Sequence, residues 1–207
     1  MLPLILFSLV CLGVGITLAL LDIWYLSLLG IIYCRWRLAS PKTKVWEESI
    51  MYNWVLPSDL DVLWHMNNGR YARKADFGRY WYMFSCGLMQ TILNNKHNTM
   101  MTSSSWRFRR SLKLWERFAI RTRMLCWDDQ AFYLEQQFIN CRDGFVHAIV
   151  LVQHHVTGMS PSEVIQILYG RQVESPEIPG DVYHWLKSMQ NNRERMKNEI
   201  EKNSESN

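Results

Sequence analysis

A chain of 207 residues is long enough for one domain with accessories and a real buried core. Its hydrophobic content of 48% and charged content of 20% are ordinary for a globular protein. The net charge of +4 suits an anionic membrane surface or ligand and is too small to argue for nucleic acid.

Leu2 to Leu21 carries no charge, and after Asp22 the apolar run resumes as Ile23 to Tyr33. A helix of about 20 apolar residues spans a bilayer core. The competing reading is a signal peptide, with Gly13-Val14-Gly15 the nearest thing to a cleavage site; no basic residue precedes the run. The expectation is an uncleaved anchor helix over residues 1–33. Arg35, Arg37, Lys42 and Lys44 follow the run, which places the rest of the chain on the cytosolic side. Trp24, Tyr25, Tyr33 and Trp36 suit a membrane interface. Residues 34–46, with Pro41 near their middle, read as a linker.

Ser49 to Leu56 reads as a strand closed by Pro57. A polar turn follows, and from Asn68 onward Tyr71, Ala75, Gly78, Tyr82 and Cys86 recur at helical spacing up to a natural stop at Gly87. Strands are predicted over 99–108, 117–126, 131–139 and 145–155, the last two joined at Asp143-Gly144. Ser160-Pro161-Ser162-Glu163 opens a short helix, and an amphipathic helix is predicted over 181–196. The polar tail beyond it is expected to fray, with residues 199–207 disordered. A long helix followed by a run of antiparallel strands is an α+β plan. The chain holds 10 Trp, 9 Tyr and 8 Phe, which favours an aromatic core over an apolar ligand tunnel. Its five Cys lack paired spacing, so reduced thiols are expected.

The polar turn carries the chemistry. The string from Ser58 to Tyr71, SDLDVLWHMNNGRY, resembles the D-x-D-x-x-G-H-V-N-N-x-x-Y signature of hot-dog thioesterases, in the 4-hydroxybenzoyl-CoA and acyl-ACP thioesterase branch. One residue departs from the pattern: Trp64 stands where that family has Gly. The resemblance implies the hot-dog fold over residues 47–158, an antiparallel sheet wrapped around the central helix, with residues 159–198 as a helical extension. It implies thioester hydrolysis, a homodimer or homotetramer, and coenzyme A entering only as part of the substrate. No metal or other cofactor is expected. Held at a membrane, such an enzyme would meet long-chain acyl-CoA where it partitions; the endoplasmic reticulum is the expected location, and secretion is the alternative if the N-terminus is cleaved.

Each site residue has two readings. Asp61 acts as base or nucleophile by the resemblance; on its own it reads as a turn-capping carboxylate. Asn68 and Gly69 open the helix, so their amides are candidate oxyanion donors. His65 and Asn67 either fix the turn or touch the thioester. Asp76 is a supporting acid–base group or a partner for Arg73 or Arg79. Trp64 and Tyr71 are candidate substrate contacts. Arg107, Arg109 and Arg110, with Lys113, either bind coenzyme A phosphates or form a solvated strand edge. A pocket that binds acyl-CoA or a partner protein without turnover is the remaining alternative.

Overall fold

The computed structural model describes residues 2–20, 22–39 and 43–205, and it divides into two units, residues 1–41 and 42–207. The centre of the expected linker, residues 40–42, lies outside the described residues, as do residues 1, 21, 206 and 207.

In the first unit the expected single helix over 1–33 is two. Helix α1 spans Leu2–Leu20 and helix α2 spans Ile23–Ala39. Asp22 starts α2: its carboxylate accepts from the Tyr25 N–H at 3.2 Å and its carbonyl from the Leu26 N–H at 3.1 Å. A carboxylate at a helix start is favoured by the exposed amides there, so the acid marks a boundary. Among the described residues no helix is long and apolar enough to cross a membrane. The 19 residues of α1 rise about 28 Å, just short of the ~30 Å hydrocarbon core.

In the second unit five strands form one antiparallel sheet. They are β1 (Ser49–Trp54), β2 (Asn98–Phe108), β3 (Arg117–Trp127), β4 (Ala131–Asn140) and β5 (Val146–Thr157), ordered β1-β3-β4-β5-β2. The alternating pattern of residues 117–126 gives a strand at the predicted place, paired with β1 through Ser49↔Thr122 to Trp54↔Arg117. Asp128 closes the β3–β4 turn, its carboxylate accepting from the Gln130 and Ala131 amides and the Tyr133 hydroxyl. Strands β1 and β2 are the two edges of this sheet.

Helix α3 (Asn68–Ser85) lies in the concavity of this sheet. Tyr71 and Ala75 pack with Phe118, Ile120, Phe138 and Ala148, and about two to three turns on Tyr82 and Met83 pack with Phe132, Leu134, Val150 and Val152. The predicted stripe is therefore the core-facing one, and Lys74, Phe77 and Arg79 are buried beside it. Gly78 permits the close approach: a Cβ there would meet Ile120 Cγ2 at 2.8 Å and Gln136 Nε2 at 3.0 Å. A sheet wrapped around a central helix is the architecture that the resemblance implied.

Three helices complete the unit. A short α4 (Leu88–Asn94), absent from the sequence reading, follows Gly87, which takes a left-handed φ of 83° between α3 and α4. Helix α5 (Pro161–Tyr169) starts as predicted; the Ser160 hydroxyl accepts from the Glu163 N–H and the Glu163 carboxylate accepts from the Ser160 N–H. Helix α6 spans Gly180–Glu205, running past Met196 and over residues 199–205 of the stretch expected to be disordered. Its first turns bury Val182 with Cys126, Ala131 and Tyr133 on the far face of the sheet. Its polar end is carried by i,i+4 pairs, Arg195 with Glu199 and Lys197 with Glu201, which the compositional reading undervalued.

Candidate functional site

The segment between β1 and α3 is built on a buried ion pair. Asp59, 5% exposed, meets the Lys74 ammonium at 3.0 Å, and Lys74 is itself 6% exposed. The same ammonium donates to Asn53 Oδ1 at 3.3 Å and the Trp54 carbonyl at 3.4 Å. Asp59 also accepts from the Leu56 N–H at 3.0 Å, and its carbonyl takes the Asn67 N–H at 2.9 Å. Both ends of the segment are thus tied to one point on α3.

Between these ties Asp61 to His65 forms a closed turn. The Asp61 N–H donates to the His65 carbonyl at 3.0 Å, and the Trp64 N–H to the Asp61 carbonyl at 3.1 Å. One Asp61 oxygen accepts from the Leu63 N–H at 2.9 Å, the capping role read from sequence. The other lies 3.4 Å from His65 Nδ1, which has no hydrogen-bond partner. Among the described residues Asp61 therefore keeps one oxygen without a hydrogen bond and facing an imidazole. Trp64 adopts φ +59°, the left-handed region that Gly tolerates best, and its side chain is 77% exposed. It does not enter the core.

The turn then runs beside the β2–β3 loop. The Met66 N–H donates to the Leu112 carbonyl at 2.9 Å, and His65 pairs with Lys113. Asn67 caps α3, its Oδ1 accepting from the Gly69 N–H at 2.9 Å. The Gly69 amide, expected as a second oxyanion donor, is engaged by this cap. The Asn68 N–H makes no hydrogen bond among the described residues and stands at the positive end of α3.

Four of the residues proposed from sequence meet at one cleft of about 180 Å³: Asn68, Tyr71, Arg109 and Arg110. Met66, Phe108 and Ser111 complete its wall and were not foreseen; Phe108 sat in the predicted strand with no polar group to mark it. Tyr71 is a core residue showing only an edge. Its hydroxyl accepts from the Leu112 N–H at 3.0 Å, its ring packs on Phe108 and Phe138, and burial raises its pKa.

Arg110 is held firmly. Its guanidinium meets Asp143 at 2.6 Å, lies 4.0 Å from the Phe145 ring centroid and contacts His147 Nε2 at 3.2 Å. His147 Nδ1 is 2.8 Å from the Arg110 carbonyl, so Nδ1 carries the proton and Nε2 accepts. The Asp143 carboxyl sits below its usual range through the Phe145 N–H and then Arg110. Arg109 lies 4.8 Å over the same ring and donates to the Val146 carbonyl. Arg107 precedes Phe108 on β2 and so faces the other side of the sheet, away from the cleft.

Asp76 stands apart as well. It pairs with Arg79, and burial raises its pKa against the pull of Arg79 and Arg73. Eight residues along a helix is about 12 Å, too far to act on a group held at Asn68. The structural reading fits Asp76 better than the catalytic one.

Residues 55–186 match the model of the thioesterase-like superfamily. Protein THEM6 of Xenopus laevis is 44% identical over 169 residues, covering 82% of each chain. Protein THEM6 of Danio rerio is 37% identical, covering 80% of this chain and 82% of its own. Among solved structures, the gentisyl-coenzyme A thioesterase BH1999 aligns with TM-score 0.51 over 59% of this chain and 100% of its own. The probable thioesterase YbaW of Escherichia coli aligns with TM-score 0.52 over 60% and 98%. Both are 18% identical and share the hot-dog fold. With its signature turn at the start of a sheet-wrapped helix, the chain belongs to the thioesterase-like superfamily.

Proposed function

We propose that this chain hydrolyses fatty acyl-coenzyme A or a closely related thioester. The observation that carries the reading is the cleft at the start of α3, where an unused helix amide and two arginines come together and Met66, the residue that follows the Asp61–His65 turn, forms part of the wall. The thioester carbonyl oxygen lies on the Asn68 N–H, where the helix end favours developing negative charge. Asp61 either removes a proton from the attacking water or attacks the carbonyl carbon itself; in both cases the C–S bond breaks and the coenzyme A thiolate leaves and takes up a proton, and in the second case water then cleaves the acyl–Asp61 anhydride, releasing the acid and restoring the carboxylate. His65, facing the free Asp61 oxygen, orients it. Arg109 and Arg110 hold phosphate oxygens of the coenzyme. No metal or added cofactor enters.

The cleft is smaller than the ~300–1,000 Å³ of common ligand pockets, which supports a homodimer or homotetramer in which a second copy encloses the rest of the ligand. The uncharged α1, followed in the sequence by Arg35, Arg37, Lys42 and Lys44, supports a membrane-associated enzyme with residues 42–207 on the cytosolic side, and the endoplasmic reticulum is the membrane proposed for it. One observation favours acyl-thioester binding without turnover: half of the Asp61 carboxylate is engaged by the Leu63 amide.

Hydrolysis of an acyl-coenzyme A panel by the full chain, beside Asp61→Asn, separates the two. Loss of about 100-fold or more in kcat, with the thermal midpoint held, supports the hydrolase. Equal background rates from both proteins, with acyl-coenzyme A still bound, establish the binding module.

A further inference from the structure

Val62, Leu63 and Trp64 stand in a row at 91%, 69% and 77% exposure. The turn that bears them is closed by the Asp61, Leu63 and Trp64 amides, so the side chains are held outward rather than left loose. Two more tryptophans are exposed close by, Trp115 at 58% and Trp54 at 51%. The Trp115 N–H bonds the Val55 carbonyl and His65 pairs with Lys113, so the end of β1, the turn and the β2–β3 loop meet at one end of the sheet. Cations flank this end. Arg107, Arg109, Arg110, Lys113 and Arg117 lie within residues 107–117, with Glu116 as the single acid.

We propose that this end of the domain docks on a phospholipid surface bearing anionic headgroups. Val62, Leu63 and Trp64 enter the acyl boundary, Trp54 and Trp115 lie at headgroup depth, and Lys113 and Arg117 meet lipid phosphates. An apolar tip bordered by tryptophans and cations is the combination that settles at a lipid interface. Three protruding side chains are a small footprint beside the ~800 Å² that each partner of a stable protein pair buries, but they suffice to enter lipid. The contact goes beyond the hydrolase reading and holds whether or not Asp61 turns substrate over. Where both hold, the Asp61 turn opens next to the phase from which an acyl chain comes.

The test uses the full chain with Cys11, Cys34 and Cys141 changed to Ser and Leu63→Cys carrying an environment-sensitive fluorophore. A matching protein carries the label at Asn192→Cys, on exposed α6. Both are reconstituted in phosphatidylcholine vesicles with and without phosphatidylserine, some lipids bearing an acyl-chain nitroxide, after equal thermal midpoints confirm folding. The proposal expects a blue shift and nitroxide quenching at position 63, enhanced by phosphatidylserine, with neither at position 192. Emission at 63 that matches 192 overturns it. So does a blue shift that escapes the nitroxide and grows with protein-to-lipid ratio, since a second copy then covers the tip.

Discussion

At Trp64 a large side chain occupies a backbone position suited to glycine. A left-handed φ costs a residue with a Cβ about 1–2 kcal/mol, and the exposed ring recovers little of it by packing. Trp64→Gly is therefore expected to raise stability by about 1 kcal/mol, read as a higher urea midpoint at unchanged m-value. A lower midpoint would show that the ring packs on something. The Asp59–Lys74 pair behaves oppositely. Lys74→Met leaves a buried carboxylate without its ammonium, an error worth about 3–5 kcal/mol. The loss is expected in the same denaturation experiment, and Asp59→Asn added to Lys74→Met should recover part of it.

At the scale of elements, the seat of α3 on the sheet is set by its glycine. Gly78→Ala gains about 1 kcal/mol of helix propensity, yet its methyl would press on Ile120 and Gln136, neither of which is a free chain end. Gln136 is fixed by bonds to the Ala75 carbonyl and the Thr122 hydroxyl, and its oxygen accepts from Arg79 at 2.9 Å. Overpacking of this kind costs about 1–3 kcal/mol, so the expected thermal midpoint falls despite the better helix former. A rise would mean that α3 can lift off the sheet. The sequence showed this stripe, Tyr71 to Cys86, because its helical period is unbroken. It did not show Lys74 and Arg79 as core residues, since a buried cation is recognised only through its partners, and these come from Asp59 in the turn and Gln136 in β4. The helix α4 escaped for a related reason: seven residues after a left-handed glycine carry too short a period to read.

For the whole molecule, the five strands were legible from alternation and turn residues, while their order was not, since pairing β2 with β5 and β1 with β3 depends on contacts far apart in sequence. The candidate site divides in the same way. Asn68, Tyr71, Arg109 and Arg110, which line the cleft, could be named from the motif and the basic cluster, and Asp61 only through the family resemblance; the occupied Gly69 amide, the turned-away Arg107 and the distant Asp76 needed the fold. Stability against acid is a further property of the assembled sheet. Burial, and then the charge of Arg79, lower the His154 pKa to about 4, and the ring meets the Thr99 hydroxyl instead. As pH falls below about 6.5 the unfolded chain takes up a proton that the folded one refuses, so stability is full above that pH and declines towards pH 4. The total is about 3 kcal/mol, and urea midpoints measured against pH should lose that slope in His154→Gln.

The two buried cysteines give the fold one more property. Burial pushes the Cys86 thiol up to about 12 and the Cys126 thiol to about 11. At neutral pH roughly one Cys126 in ten thousand is a thiolate, the form that reacts with oxidants and alkylating reagents. A thiol-specific dye added to the native protein should therefore count no more than Cys11, Cys34 and Cys141, and all five only after denaturation. The core is thus chemically silent, so any sensitivity of this protein to oxidative conditions has to begin at its surface.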